Sequence, residues 1–150
     1  MIAEPAIAEA KPSLTLKRRL NAAPEKVFAA WADPAKLSRW FGPDAAGVTR
    51  AELDLRPGGR FTFGFRTPDG EQHQVGGVYR EVVPDEKLVF TWAWHSTPER
   101  ESLVTVLIKA DGGGTILTVT HEQFFDEAAR DRHHGGWTAS LEKLEAYLAQ

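Results

Sequence analysis

Apolar side chains recur at every second position along most of this chain, and the period lengthens to that of a helix near its two ends. From Ser13 to Leu20, the residues Leu14, Leu16, Arg18 and Leu20 alternate with polar neighbours, which predicts a first strand. Pro24 then stands where a first helical residue is favoured, with Glu25 in the first turn and Val27, Phe28 and Trp31 as a short apolar stripe. A second short helix follows. Asp33 suits its N-cap with Pro34 behind it, Leu37, Trp40 and Phe41 keep i, i+3, i+4 spacing, and Gly42-Pro43 stops it.

From Ala51 to about Glu122 the period is two. Turn signals stand at Pro57-Gly58-Gly59, Pro68-Asp69-Gly70, Pro84-Asp85, Thr97-Pro98 and Asp111-Gly112-Gly113-Gly114, a spacing that predicts strands joined by hairpins in an antiparallel sheet. By parity one face collects Phe61, Phe63, Phe65, Leu88, Phe90, Trp92, Trp94, Val104, Val106, Ile108, Leu117, Val119 and His121. The opposite face is mostly polar, so the first needs a cover. Trp137, Leu141, Leu144 and Leu148 supply it as one helical stripe, predicted from about Gly136 to Leu148, with a preceding turn or two over Asp126 to His134. Two adjacent glycines, Gly135 and Gly136, each cost a helix roughly 1 kcal/mol relative to alanine, which predicts a break or kink between the two segments. Gly136 is expected to leave room beside the sheet.

The predicted architecture is therefore α+β: one antiparallel sheet of about seven strands wrapped around a long C-terminal helix, in the order β-α-α-β6-α. Residues 1–12, rich in Ala, Glu and Pro, read as a disordered tail, and 13–150 as a single domain.

Composition narrows the function. Eighteen basic against 21 acidic residues leave a formal charge of -3, and the longest basic run, Lys17-Arg18-Arg19, falls in a predicted strand, so nucleic acid is not an expected partner. The chain has no cysteine, which removes disulfides, thiol catalysis and cysteine-based metal centres. Neither a signal peptide nor a membrane span is visible, and the cytoplasm is the expected location.

A sheet covered by one helix is either solid or hollow, and the aromatics of the buried face bear on which. The candidate cavity residues are Trp40, Phe41, Phe61, Phe63, Phe65, Tyr79, Phe90, Trp92, Trp94 and Trp137, with Val104, Val106, His121, Gly136, Ser140 and Leu141. Each of these is also an ordinary core position, but large flat side chains on a concave sheet leave gaps that suit a small molecule. His121 lies on the aromatic face by parity, where burial favours a neutral imidazole that needs a partner: a ligand oxygen, a water, or a side chain such as Tyr79 or Ser140. His133-His134 lacks a second ligand at i+4, so no metal site is expected, and the pair reads as a solvated helix start with one imidazole at the cavity mouth. Neither the glycine runs nor Ser96, Ser102 and Ser140 stand in a phosphate-loop or nucleophile context, and His121 and Glu122 point to opposite faces. No catalytic residue and no cofactor are expected.

Several segments resemble one family. They are Pro24-Glu25-Lys26-Val27-Phe28-Ala29-Ala30-Trp31, Asp33-Pro34 with Trp40-Phe41, Leu55-Arg56-Pro57-Gly58-Gly59-Arg60-Phe61, Leu88-Val89-Phe90-Thr91-Trp92, Gly114-Thr115-Ile116-Leu117-Thr118-Val119-Thr120-His121 and Gly136-Trp137. In this order they resemble the Hsp90-ATPase-activator-homologue-like branch of the START/Bet v 1-like (SRPBCC) superfamily, from about Leu14 to the C-terminus. The resemblance implies a helix-grip fold with one cavity between sheet and C-terminal helix, used by relatives for lipids, polyketides, hormones or aromatic products. The family's founder stimulates a chaperone ATPase. The leading expectation is thus a binding protein for a hydrophobic or aromatic small molecule, with a role in stress response. A protein–protein module related to the chaperone activator, a cofactor-free cyclase-type enzyme, and a homodimer stay open as alternatives.

Overall fold

The computed structural model describes residues 11–42 and 47–150. Of the expected tail only Lys11 and Pro12 are among them, and the Pro12 carbonyl accepts a hydrogen bond from the Phe124 amide (3.2 Å). Pro43 lies outside the described residues.

Ten elements follow in the expected order: β1 (Leu14–Leu20), α1 (Pro24–Ala32), α2 (Pro34–Leu37), β2 (Gly47–Leu53), β3 (Arg60–Arg66), β4 (Gln72–Val83), β5 (Lys87–Trp94), β6 (Ser102–Asp111), β7 (Gly114–Glu122) and α3 (Glu127–Leu148). The seven strands form one antiparallel sheet ordered β1-β7-β6-β5-β4-β3-β2. Every hairpin sits at a turn signal read from the sequence. Strand β2 begins earlier than the alternation suggests, because its first residues are exposed on both faces and carry no period-two signal.

Pairing of β4 with β5 shifts register between Tyr79 and Glu81. Two residues before that shift, close approach requires glycine: a Cβ on Gly77 would lie 1.9 Å from the Thr91 carbonyl oxygen. Bulges of this kind bend a strand and increase its twist. Helix α1 starts on Pro24 and buries Val27, Phe28 and Trp31, while Asp33 caps α2 by accepting from the Ala35 amide at 2.8 Å. Helix α2 is shorter than predicted. Trp40 and Phe41 follow it in a tight turn whose amides both return to the Leu37 carbonyl.

The expected break at Gly135-Gly136 does not occur, and α3 is one helix of 22 residues capped by the Asp126 side chain on the Ala129 amide (2.8 Å). Burial of Ala129 before the glycines and of Trp137, Ser140, Leu141, Leu144 and Leu148 after them holds both halves to one line. Tertiary packing of this kind overrides an intrinsic cost of about 1 kcal/mol per glycine. The helix lies across the predicted inner face, and a single cluster of buried side chains joins α1, α2, α3 and the sheet.

Candidate functional site

The helix does not fill the whole concavity. Near the ends of β3, β4 and β5, beside the N-terminal half of α3, a recess of about 350 Å³ opens. Seven of the sequence candidates line it: Phe41, Phe65, Trp92, Trp94, Gly136, Trp137 and Ser140. The wall of a second, smaller chamber of about 30 Å³ includes Phe61, Phe63, Tyr79 and Phe90 together with Phe41 and Trp92. Trp40, Val104, Val106, His121 and Leu141 border neither space and are packed in the core. Trp40 gives its indole N–H to the Ala30 carbonyl (3.0 Å).

Six residues outside the sequence candidates also line the recess: Gly42, Thr67, His73, Ser96, Arg132 and His133. Thr67, His73 and Ser96 stand at hairpin ends that the antiparallel register gathers at one end of the sheet. Arg132 and His133 lie one turn before Gly136 and Trp137, so a continuous helix places them on the same side.

Two histidines organise the aromatic walls. Trp137 donates its indole N–H to His121 Nδ1 at 3.0 Å, and His121 Nε2 lies 2.7 Å from Ser102 Oγ. An indole N–H only donates, so Nδ1 accepts and Nε2 carries the proton. His121 therefore donates to Ser102, whose hydroxyl donates on to the Trp92 carbonyl (3.2 Å). Burial, reinforced by the nearby His133, pushes the His121 pKa down to about 2. This pair resembles a nucleophile and its base but runs the opposite way. The imidazole gives a proton to the serine oxygen rather than taking one, and His121 is 0% exposed. The partners expected from sequence, Tyr79 and Ser140, are replaced by Ser102 and Trp137, because β6 brings Val104 and not β4 opposite His121.

His133 takes the other tautomer. Its Nε2 accepts from both Trp94 (2.9 Å) and Trp92 (3.3 Å), leaving Nδ1–H to donate to the Ala129 carbonyl (2.7 Å). Burial lowers its pKa, the Ala129 carbonyl opposes that, and the Arg132 charge lowers it further. Both ring nitrogens are engaged, so His133 has no lone pair left for a metal.

Ser140 fixes the remaining wall. Its hydroxyl accepts from the Gly42 amide (3.2 Å) and donates to the Gly42 carbonyl (3.3 Å), where Lys143 also donates. Gly42 has φ 104°, a left-handed conformation that glycine adopts without strain. This clamp holds Phe41 in place, edge-on to Phe63, Trp92 and Trp137. Arg132 on the recess edge forms no ion pair among the described residues, and no carboxylate side chain lines the recess.

Tyr79, on the chamber wall, is held neutral: burial, with Asp54 second, pushes its phenol pKa up. Among the described residues no helix is long and apolar enough to cross a membrane.

An antiparallel sheet gripping one long helix, with a recess between them, defines a helix-grip α+β protein. The family described as Activator of Hsp90 ATPase homolog 1-like protein matches residues 21–149, and the chain belongs to it. Solved structures agree. The AHSA1 protein from Silicibacter pomeroyi is 35% identical with a TM-score of 0.83, covering 92% of this chain and 98% of its own. A protein from Chromobacterium violaceum is 28% identical with a TM-score of 0.84, over 93% of this chain and 99% of that one. An AHSA1-like protein from Aeromonas hydrophila, 22% identical over 92% of each chain, shares the fold with a TM-score of 0.80. The comparison with curated proteins returns no match.

Proposed function

We propose that this protein binds a flat aromatic or otherwise apolar small molecule in the recess between β3–β5 and α3. The observation that carries this reading is how the walls are made. Trp92, Trp94 and Trp137 each satisfy their indole N–H inside the protein, on His133 or His121. Their ring faces are thereby left as apolar surface around a space of about 350 Å³. Sites for small molecules are built in this way, mostly apolar with a few placed polar groups. The missing carboxylates and the engaged histidines favour holding a molecule over transforming it.

The test is a thermal-shift panel of flat aromatic, polyketide-like and fatty-acid compounds, read together with tryptophan quenching. A ligand present at a hundredfold excess over Kd stabilises the fold by about 2.7 kcal/mol, a midpoint rise of several degrees. A panel in which no compound raises the midpoint or quenches the tryptophans overturns the reading. The family's description favours a second one, action on the Hsp90 ATPase, and an unchanged ATPase rate on adding the protein would dismiss it.

A further inference from the structure

Most polar side chains on the recess wall are already engaged. The indole N–H groups of Trp92, Trp94 and Trp137, both ring nitrogens of His133 and the Ser140 hydroxyl all have partners inside the protein. Thr67 gives its hydroxyl proton to Asp69, and His73 Nε2 stands 3.3 Å from the Glu71 carboxylate. Neither acid lines the recess. Among the described residues, the Ser96 hydroxyl, the second nitrogen of His73 and the Arg132 guanidinium are left over, and the guanidinium is the one that stays charged at every working pH.

Arg132 lacks an ion-pair partner for a reason written in the sequence. The positions three and four residues away from it on α3 are Ala128, Ala129, Gly135 and Gly136, so no carboxylate stands where a helix pairs its charges. Neighbouring Asp131 pairs with Arg130 at 2.9 Å instead. Arg132, Gly136 and Ser140 succeed one another at i, i+4 and i+8, and all three line the recess. A helical side chain leans over the turn before its own Cα, so residue 136 is the one that would cover the approach from Arg132. Glycine leaves that approach bare: a Cβ there would meet nothing within 4 Å. The charge also reaches the aromatic wall, because after burial, which dominates, it too lowers the His133 pKa.

One fixed cation beside a wall of rings suits one kind of ligand. An uncharged molecule gains nothing from it, a cation is repelled, and a dianion brings more charge than one guanidinium balances. A carboxylate matches the planar fork with two parallel hydrogen bonds. The volume of about 350 Å³ is at the small end of the range for such sites, about 300–1,000 Å³, and admits a compact ring system rather than a long acyl chain.

Resting on the reading of the recess as a ligand site, we propose that the ligand is an aromatic monocarboxylate, its rings against Trp92, Trp94 and Trp137 and its carboxylate paired with Arg132. Arg132 is then the residue that sets specificity. Since the chain carries a formal charge of -3, this preference for an anion is local and not a general attraction.

The experiment uses a matched pair, naphthalene-2-carboxylate and its neutral isostere naphthalene-2-carboxamide, titrated calorimetrically into the parent and into Arg132→Gln at low and high salt. Arg132→Gln breaks no hydrogen bond or ion pair of the fold, so the variant should fold as the parent does. The parent should bind the carboxylate about fivefold more tightly than the carboxamide at low salt, as an ion pair at a solvent-open edge implies. That advantage should shrink as salt is raised and vanish in Arg132→Gln. In ¹H–¹⁵N spectra of the parent, the Arg132 Nε–H resonance should move with the carboxylate and not with the carboxamide. Equal affinities in the parent, or a carboxylate affinity that Arg132→Gln leaves unchanged, would overturn the inference, while binding of the carboxamide keeps the ligand reading in place. If neither compound binds, the inference falls, and the thermal-shift panel decides the ligand reading on its own.

Discussion

Trp137 and His121, one on α3 and one on β7, are joined by a hydrogen bond of 3.0 Å that orients every proton from the helix to the β5 backbone. Removing the indole while keeping an aromatic ring isolates its contribution. Trp137→Phe leaves His121 Nδ1 buried without a donor, and should lower stability by about 1–3 kcal/mol. Chemical denaturation checks this, and a variant as stable as the parent would mean that the network is not a stabilising element.

The same histidine makes stability depend on pH. The unfolded imidazole titrates near pH 6.5, whereas the folded state holds His121 neutral down to about pH 2. Above about pH 6.5 neither state carries the proton, and below it the unfolded state binds one that the folded state refuses. Stability should therefore fall as pH falls, by about 1.4 kcal/mol per pH unit from this group. His133, also lowered by burial, acts in the same direction. Denaturation midpoints between about pH 7 and pH 5 test the slope, and His121→Phe should flatten it by one proton's share. A slope that is the same in parent and variant would contradict the assignment.

His133 is the common acceptor of two tryptophans, so His133→Leu orphans both Trp92 and Trp94 indoles. The expected loss is about 2 kcal/mol or more, exceeding that of any single-donor variant. The two indole protons should also exchange faster with solvent. Unchanged exchange would show that they find other acceptors.

Gly135 and Gly136 offer a paired test of space against flexibility. A Cβ at either position meets nothing within 4 Å, but only Gly136 lines the recess. Both Gly135→Ala and Gly136→Leu should raise helix stability by about 0.5–1 kcal/mol. Only Gly136→Leu should weaken binding of an apolar probe, by about tenfold or more, since its side chain occupies the ligand's volume. Equal binding by the two variants would refute the role of this opening.

Much of this architecture could be read from the sequence because its signals are local. Turn residues marked every hairpin, and period-two parity placed Phe61, Phe63, Trp92 and Val119 on the buried face. The α3 stripe from Trp137 to Leu148 was equally plain. Signals that depend on distant partners were not legible. Ser102 meets His121 only because β6 pairs with β7, and nothing near either residue announces it. Which of the two adjacent imidazoles reaches the recess, and what it holds there, was hidden for a different reason: local propensity at the glycines argues for a break, while packing on both sides keeps the helix whole. Whether Trp92 lines a space or fills it turns on gaps between side chains, which no pattern of residue types records.

The ordering of the sheet also sets an order of events in folding. Strands β2 to β7 each pair with a neighbour next in sequence, but among the described residues β1 has β7 as its sole strand partner, with Thr15 hydrogen-bonded to Thr120 across a separation of 105 residues. A loop of that length closes slowly compared with a hairpin. During synthesis β1 emerges first and waits for the last strand, its Leu14, Leu16 and Leu20 side chains without the cover they have in the finished fold. Closing β1 onto β7 is thus the long-range step of folding, and it completes the strand that carries His121.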